Sequence, residues 1–578
     1  MSQDAYTLKD TFKGFTLDQD KTITPQQTVK RFRERLKSIN LDILKDTVRI
    51  DNGRLDIPVF FSRCGKDAMS IIGTKKQMGK GATPSQAEAS AVMELAERFS
   101  FFSFYKKEEN FFTDQYKNLG NRAIPFDLIA RSVHDQGDEL DISRRIFENL
   151  HLKWTMAYNY TRNEDILIPM NWFYTINEFN GPCAGNAPAE ALVQGICEVV
   201  ERHVSALISH NCMKVPAIKP ESATDPMVKK MLAKYDKAGI KVYLSDFTLE
   251  MGIPTVGVMA YDPSTFPQKS EIVWTAGTTP NPEKALSRAL TEVAQLAGDF
   301  NSGTNYVASG LPKLQSIDEA HFITRPDTWR NISQLPDISN NNLKIEVENC
   351  IATLKNHSYE VLAVSTEHER LQIPSFYTII PGAYFRERSL GTSVAMFSAK
   401  IIAETYETDA AISALNEINQ LLPDKYFTWF YLGMCHLERQ DPETALAHFK
   451  HALNASPNPQ DAPSIYSYMG LCLKDMGRYK EALDILEKGS QIDSERTDIH
   501  NLMGFCWFKL KEHEKAIASF QKVIELNPSS AIDYANIASN YRDMGKISKA
   551  IKYYELALRL DPTIDFALQN LLKLQSGN

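Results

Sequence analysis

The 578-residue sequence predicts a mixed α/β domain with internal pseudo-repeats, followed by an all-α repeat solenoid. Three observations predict it. Through roughly the first 400 residues, β-rich stretches lie between amphipathic helices. A proline-started helix with the same polar face occurs there three times. Beyond that point the apolar period is helical throughout, and small residues recur at a spacing of 34.

In chain order, residues 1–20 read as a loose lead-in. Thr24-Pro25 signals a helix start, with an amphipathic helix to about Ser38. Thr47 to Cys64 alternates as paired strands, with Asn52-Gly53 as a type I′ hairpin signal. Lys80 to Ser100, KGATPSQAEASAVMELAERFS, then forms the first motif helix, opened by Thr83-Pro84. Residues 104–150 read as loop and short helix, and Trp154 to Tyr174 as strand. Pro182 to His210 carries the second motif. Met227 to Ala238 is helical, Lys241–Tyr261 and Glu271–Ala276 are β-rich, and the third motif helix runs from about Pro282 to Gly298. Residues 301–345 read as irregular. Leu343 to His357 is helical, and Tyr359–Val364 and Ser375–Ile380 are strands.

In the first motif Ser90, Glu94, Glu97 and Arg98 share one helix face, while Val92, Leu95, Ala96 and Phe99 form the opposite, core-seeking face. A shift of 104 residues places Gln194, Glu198, Glu201 and Arg202 on those four polar positions, and Gly185-Asn-Ala-Pro188 on Gly81-Ala-Thr-Pro84. The third copy is looser: Asn281-Pro282, then Arg288, Glu292 and Gln295. One such face alone is an ordinary solvated surface. Three of them imply a shared cleft. Glu94, Glu97, Glu190, Glu198, Glu201 and Glu292 in one cleft would repel unless neutralised. Carboxylates without histidine or cysteine suit a hard cation such as Mg²⁺, and arginines beside them grip phosphate. With helix N-termini added, the pattern describes a nucleoside triphosphate site, provided the helices converge. Gly73 to Lys80 resembles a P-loop, but five residues separate its glycines and Gly81 follows the lysine where a hydroxyl is required. That reading is rejected.

From residue 400 onward, Trp429, Leu432, Gly433, Ala445, Phe449 and Ala452 match the tetratricopeptide signature. The repeats fall at about 426–459, 463–496, 497–530 and 531–564, with Asp565 to Leu574 as a capping helix and Ala410 to Leu422 as a degenerate half-unit. The domains therefore read as lead-in 1–20, α/β domain 21–400 and repeat domain 401–578. Such solenoids bind protein or peptide on the concave face.

Composition excludes several classes. The net charge is −8 and no basic block appears, so no nucleic-acid partner is expected. No apolar run reaches transmembrane length and MSQDAYTLKD shows no signal-peptide pattern, so a cytoplasmic protein with no membrane partner is expected. The eight cysteines form no CxxC, which points away from zinc and redox pairs. Cys435, Cys472 and Cys506 each follow a glycine by two residues and read as small core residues.

GKGAT…SAVMELAERFS, then AGN…E…QGICEVVERH, then RALTE, in that order, resemble the three motifs of the YcaO family over roughly residues 15–390. The resemblance implies a fold that binds ATP and Mg²⁺ without a P-loop and phosphorylates a backbone amide oxygen in a peptide or protein. A nucleophile then attacks the activated amide, giving an azoline, thioamide or amidine. It implies that Lys21, Thr28, Ser90, Arg98, Asn186, Gln194, Arg202 and Arg288 hold the nucleotide, and that Glu94, Glu97, Glu190, Glu198, Glu201 and Glu292 hold Mg²⁺. No enzyme nucleophile stands out. Azoline-forming members commonly end in a PxPxP tail, whereas this chain ends LKLQSGN and shows no fused leader-binding domain, closer to the stand-alone members. Those are associated with methylthiolation of a ribosomal small-subunit protein, and other members make thioamides with a TfuA partner. The resemblance also makes a homodimer plausible. The competing reading is a scaffold that binds nucleotide as a regulator and recruits a client through its repeats.

Overall fold

The computed structural model describes residues 6–73, 77–301, 314, 316–385 and 392–576. Residues 74–76 of the P-loop-like stretch, and much of 302–315, lie outside the described residues. The chain divides into two compact units, Met1–Gln136 with His151–Arg388, and Gly137–Leu150 with Ser389–Asn578. Helices Leu140–Glu148 and Val394–Thr405 pack together in the second unit, each with buried apolar residues such as Phe147 and Ile401, so this unit combines chain from before residue 151 with chain from after residue 388. Among the described residues no helix is long and apolar enough to cross a membrane.

The first unit holds three sheets. Leu44–Arg49, Val59–Cys64 and Gln77–Lys80 form an antiparallel sheet in that order. A second sheet runs Val273–Thr278, Thr255–Tyr261, Lys241–Asp246, Ala217–Ile218, Trp329–Arg330. The third runs Phe112–Gln115, His151–Asn159, Leu362–Ser365, Ser375–Ile379, Pro182–Ala184, with Glu164–Pro169 also paired to His151–Asn159. Opening helix Pro25–Ile39 starts with a capping box between Thr24 and Gln27.

Three expectations are corrected. Residues 50–58, not a two-residue turn, connect the first two strands, whose pairing begins at Arg49 and Phe60. Gly53 is left-handed (φ 83°), but Asn52 instead accepts from Arg54 N–H in an Asx turn. The strand expected to reach Tyr174 stops at Pro169, and Met170–Asn177 is a helix with Trp172 and Phe173 buried. A short run apolar on every side reads the same in a buried strand and a buried helix. The segment taken as a loose lead-in is tied down. Lys13 Nζ pairs with Asp20 at 2.7 Å and Glu346 at 2.5 Å, Asp18 Oδ2 accepts from Ala82 N–H at 2.9 Å, and Lys284 Nζ donates to the Thr16 and Leu17 carbonyls at 2.9 Å.

The second unit contains the repeat pairs Tyr426–Glu438 with Pro442–Asn454, Ala462–Asp475 with Tyr479–Ile492, Thr497–Lys509 with His513–Leu526, and Ala531–Asp543 with Ile547–Leu560. Helix Asp565–Gln575 follows, and Thr408–Leu421 precedes them. The signature positions Leu432, Ala445, Phe449, Ala482, Leu486, Ala516, Ala538 and Tyr554 are all fully buried or nearly so, as are Cys435, Cys472 and Cys506.

Candidate active site

The motif helices are Pro84–Lys106, Pro188–Asn211 and Pro282–Ala297, each with proline in its first turn. Thr83 caps the first by accepting from Gln86 N–H, and Asn281 caps the third by accepting from Glu283 and Lys284 N–H. The back of the first helix buries Val92, Leu95, Ala96 and Phe99 against Phe32 and Leu36 of the opening helix. The back of the third, Ala285, Leu286, Ala289, Leu290 and Val293, packs into a core with Val256, Val258 and Val273 of the second sheet. Glycine sets how closely strand and helix meet in two of the copies. A Cβ on Gly79 would lie 2.0 Å from Ala91 N and 2.3 Å from Ala87 O, and one on Gly277 would lie 2.4 Å from Ala285 O and 2.7 Å from Ala289 N. Both glycines stand five residues before the helix-opening proline.

With their backs buried, the three polar faces meet at one cavity of about 220 Å³. The first helix contributes Ser90, Glu94, Glu97 and Arg98; the second, Glu190, Gln194, Glu198 and Arg202; the third, Arg288, Glu292 and Gln295. Lys21, Thr28 and Asn186 complete the predicted wall. Thr28 and Asn186 also border an adjoining pocket of about 400 Å³, beside Phe32, Arg35 and residues 371–374.

Glu201 is the exception. It is buried away from the cavity, where Oε2 accepts from Thr278 N–H at 3.0 Å and from Arg288 Nε at 3.2 Å. It orients Arg288, whose Nη1 also donates to Gln194 Oε1 at 3.3 Å. Glu190 lines the cavity, but its oxygens are taken up: Oε2 accepts from Thr22 N and Oγ1, both 2.8 Å, and Oε1 from Asn186 N and Nδ2 at 3.1 and 3.0 Å. Four donors occupy the lone pairs a metal would need, so in this arrangement Glu190 clasps the N-terminal segment to the second motif helix.

Sequence reasoning missed Lys80 and Gln86. Met78 and Lys80, two apart on a strand, point from the same face into the cavity. Lys80 Nζ forms an ion pair with Glu292. The available signal was the lysine of the rejected P-loop look-alike, between the two glycines of GKG. Gln86 is buried in the cavity wall, and its Oε1 has no hydrogen-bond partner among the described residues.

Charges alternate through the cavity. Arg98 Nε is 3.5 Å from Glu97, and Arg202 is 3.9 Å from Glu198. Arg98 also donates to the Phe179 carbonyl at 3.3 Å and lies over its ring. Burial pushes the Glu94 and Glu97 carboxyls up, Arg98 opposes this, and Glu198 adds to it. Burial and Arg288 push the Lys80 ammonium down to about 7, with Glu201 and Glu94 opposing that. Cys183, beside the cavity, is fully buried, and burial raises its thiol well above the usual range, which makes it a poor nucleophile.

Among the described residues no three His, Cys, Asp or Glu side chains gather closely enough to hold a metal ion by themselves. The donor set nevertheless fits a hard divalent cation bound with a polyphosphate. Glu94, Glu97, Glu198 and Glu292 offer oxygen, and Mg²⁺ is usually held by one or two carboxylates plus phosphate oxygens and water. Lys21, Lys80, Arg98, Arg202 and Arg288 offer the matching cations.

The fold and this cavity define a class of α/β domain in which three proline-started helices, rather than a glycine-rich loop, assemble the charged site. Residues 78–384 match the family profile described as YcaO cyclodehydratase, ATP- and Mg²⁺-binding, and the chain belongs to the YcaO family. Residues 412–534 match the TPR domain of cytochrome c-type biogenesis protein H, and 534–564 a tetratricopeptide repeat. An uncharacterized protein of Methanothermobacter thermautotrophicus is 28% identical over 385 residues, covering 62% of this chain and 94% of that protein. The ribosomal protein S12 methylthiotransferase accessory factor YcaO of Escherichia coli is 28% identical over 241 residues, 38% of this chain and 40% of its own length. A solved YcaO from Methanopyrus kandleri, bound with AMPPCP and Mg²⁺, superposes with a TM-score of 0.50 at 20% identity, over 64% of this chain and 94% of that one. At that identity the likeness concerns the fold.

Proposed function

We propose that this protein is an ATP- and Mg²⁺-dependent enzyme that phosphorylates a backbone amide oxygen of a peptide or protein. The observation that carries the reading is the convergence of three motif helices on one cavity in which carboxylates and cations alternate. Family membership and the AMPPCP and Mg²⁺ in the M. kandleri relative support it.

In this reading Arg98, Arg202, Arg288 and Lys21 bind and orient the phosphates, and Arg288 is preset by Glu201 and Gln194. Glu94, Glu97, Glu198 and Glu292 carry the divalent cation, which neutralises phosphate charge when bound. The amide oxygen takes the terminal phosphoryl group and ADP leaves. The O-phosphorylated amide is then attacked at carbon, and phosphate departs with the former amide oxygen. Amide oxygen is a poor leaving group until it is phosphorylated, so the cavity's task is positioning and charge stabilisation. No side chain of the cavity has to become covalently attached to substrate. The attacking group decides between azoline, thioamide and related products, or a supporting role in ribosomal-protein methylthiolation. The repeat unit docks the substrate or a partner, a TfuA-like protein among the candidates.

Calorimetric titration of the full chain tests the nucleotide site. Wild type binds a non-hydrolysable ATP analogue in the presence of Mg²⁺, and Glu94→Ala, Glu198→Ala and Arg202→Ala each lose at least about tenfold in affinity, roughly 1.4 kcal/mol. Wild-type affinity in all three variants would sink the reading.

A further inference from the structure

We propose that Lys80 is an exchangeable counter-cation: it holds the Glu292 carboxylate while the site lacks ligand and transfers to phosphate when nucleotide and metal arrive, so that the two bind as a coupled pair. This rests on the nucleotide and metal reading of the cavity given above.

The geometry separates Lys80 from the three arginines. Arg288 is fixed by Glu201 and Gln194, and Glu201 is itself held by the Thr278 backbone. Arg98 is anchored on the Phe179 carbonyl and ring. Arg202 shares a helix with its partner Glu198 one turn away. Lys80 instead reaches from the strand Gln77–Lys80 across to Glu292 on the third motif helix. A lysine ammonium is a compact charge on a flexible four-carbon stem, able to change partner without moving the backbone, whereas a guanidinium fork is held by its geometry. The strand backbone itself is wedged, because Gly79 leaves no room between it and the first motif helix.

The charge balance then forces exchange. While Lys80 occupies Glu292, that carboxylate is a poor metal ligand. Arg288 and Arg202 stand near Lys80, and of the other anions near it Glu201 is held by Thr278 and Arg288 while Glu94 is offered to the metal, so giving up Glu292 calls for a new anion. An incoming phosphate supplies that anion and frees Glu292 for the cation. A cation arriving alone would have to leave the Lys80 ammonium buried and unpaired, and a phosphate arriving alone would have to leave Glu292 so. Each ligand therefore removes the cost the other meets, which is a coupling free energy between two sites in one cavity.

The test uses the full chain as wild type, Lys80→Gln and Glu292→Gln, with thermal melts to check folding. Mn²⁺ binding is followed by electron paramagnetic resonance, and binding of a non-hydrolysable ATP analogue by calorimetry, each with and without the other ligand. In wild type, metal tightens analogue binding at least about tenfold, and the analogue tightens metal binding by the same factor. In Lys80→Gln, Mn²⁺ alone binds about fivefold tighter than to wild type and the coupling shrinks to about twofold or less. In Glu292→Gln, the freed Lys80 makes the analogue alone bind about fivefold tighter, again with reduced coupling. Wild-type coupling in Lys80→Gln, or analogue binding no tighter in metal-free Glu292→Gln, overturns the exchange while leaving the nucleotide site standing. A wild type that takes up no analogue overturns the reading of the cavity itself.

Discussion

His203 follows Arg202 on the second motif helix but lies outside the cavity, where its Nδ1 accepts the Tyr384 N–H at 3.0 Å and its Nε2 is 3.4 Å from the Tyr359 hydroxyl. Burial holds the imidazole down to about 4 from 6.5. The unfolded chain therefore binds the proton more readily than the folded one between those values. Stability is complete above about pH 6.5 and is lost as pH falls toward 4, by up to about 3 kcal/mol. Denaturant unfolding across pH 4 to 7 should show that slope in wild type, and His203→Asn, which keeps an acceptor and removes the titration, should flatten it. Ser90, Glu94, Glu97 and Arg98 were legible because one helical period fixes which side chains share a face. The family resemblance puts Glu190 and Glu201 among the Mg²⁺ ligands. Their actual donors, Thr22 and Asn186 for one and Thr278 and Arg288 for the other, are set by partners distant in sequence or by backbone amides, which spacing does not encode.

At the level of elements, the strand that carries Lys80 works only because Gly79 lets it touch the first motif helix. Gly79→Ala places a methyl group against the Ala91 and Ala87 backbone, which has no flexible side chain to yield. It should cost about 3 kcal/mol of stability, the upper end of ordinary overpacking, and displace Lys80. The measurement is a shift in the denaturation midpoint together with weaker binding of the nucleotide analogue. A neutral effect on both would show that the strand can retreat. The N-terminal segment is the element sequence reasoning read least well. It has no apolar period, so it looked like a lead-in. It is held instead by side chain–backbone hydrogen bonds and ion pairs: Asp18 to Ala82, Thr22 to Glu190, Lys284 to Thr16 and Leu17. These touch the N-terminal ends of all three motif helices, so this segment ties together the elements that build the cavity.

Across the whole molecule, the repeat unit has cores of its own. Leu486 is fully buried in a cluster drawn from residues 445–506, and the first and third motif helices draw on separate clusters. Leu486→Ala should remove about 3 kcal/mol from the repeats and broaden or lower their calorimetric transition. Affinity for the nucleotide analogue should stay within about twofold of wild type. A comparable loss of nucleotide binding would show that the two units are energetically one. The class of fold, the repeat array and the faces of the motif helices are legible in the amino-acid order, because helical period, capping residues and small-residue spacing are local and survive without tertiary context. That the three faces meet, that Glu201 and Glu190 spend their oxygens on the protein, and that Lys80 belongs to the site emerges from the folded chain. Those outcomes depend on which buried charge finds which partner across the fold, and in a low-dielectric cavity that pairing, more than residue type, sets what each group can do.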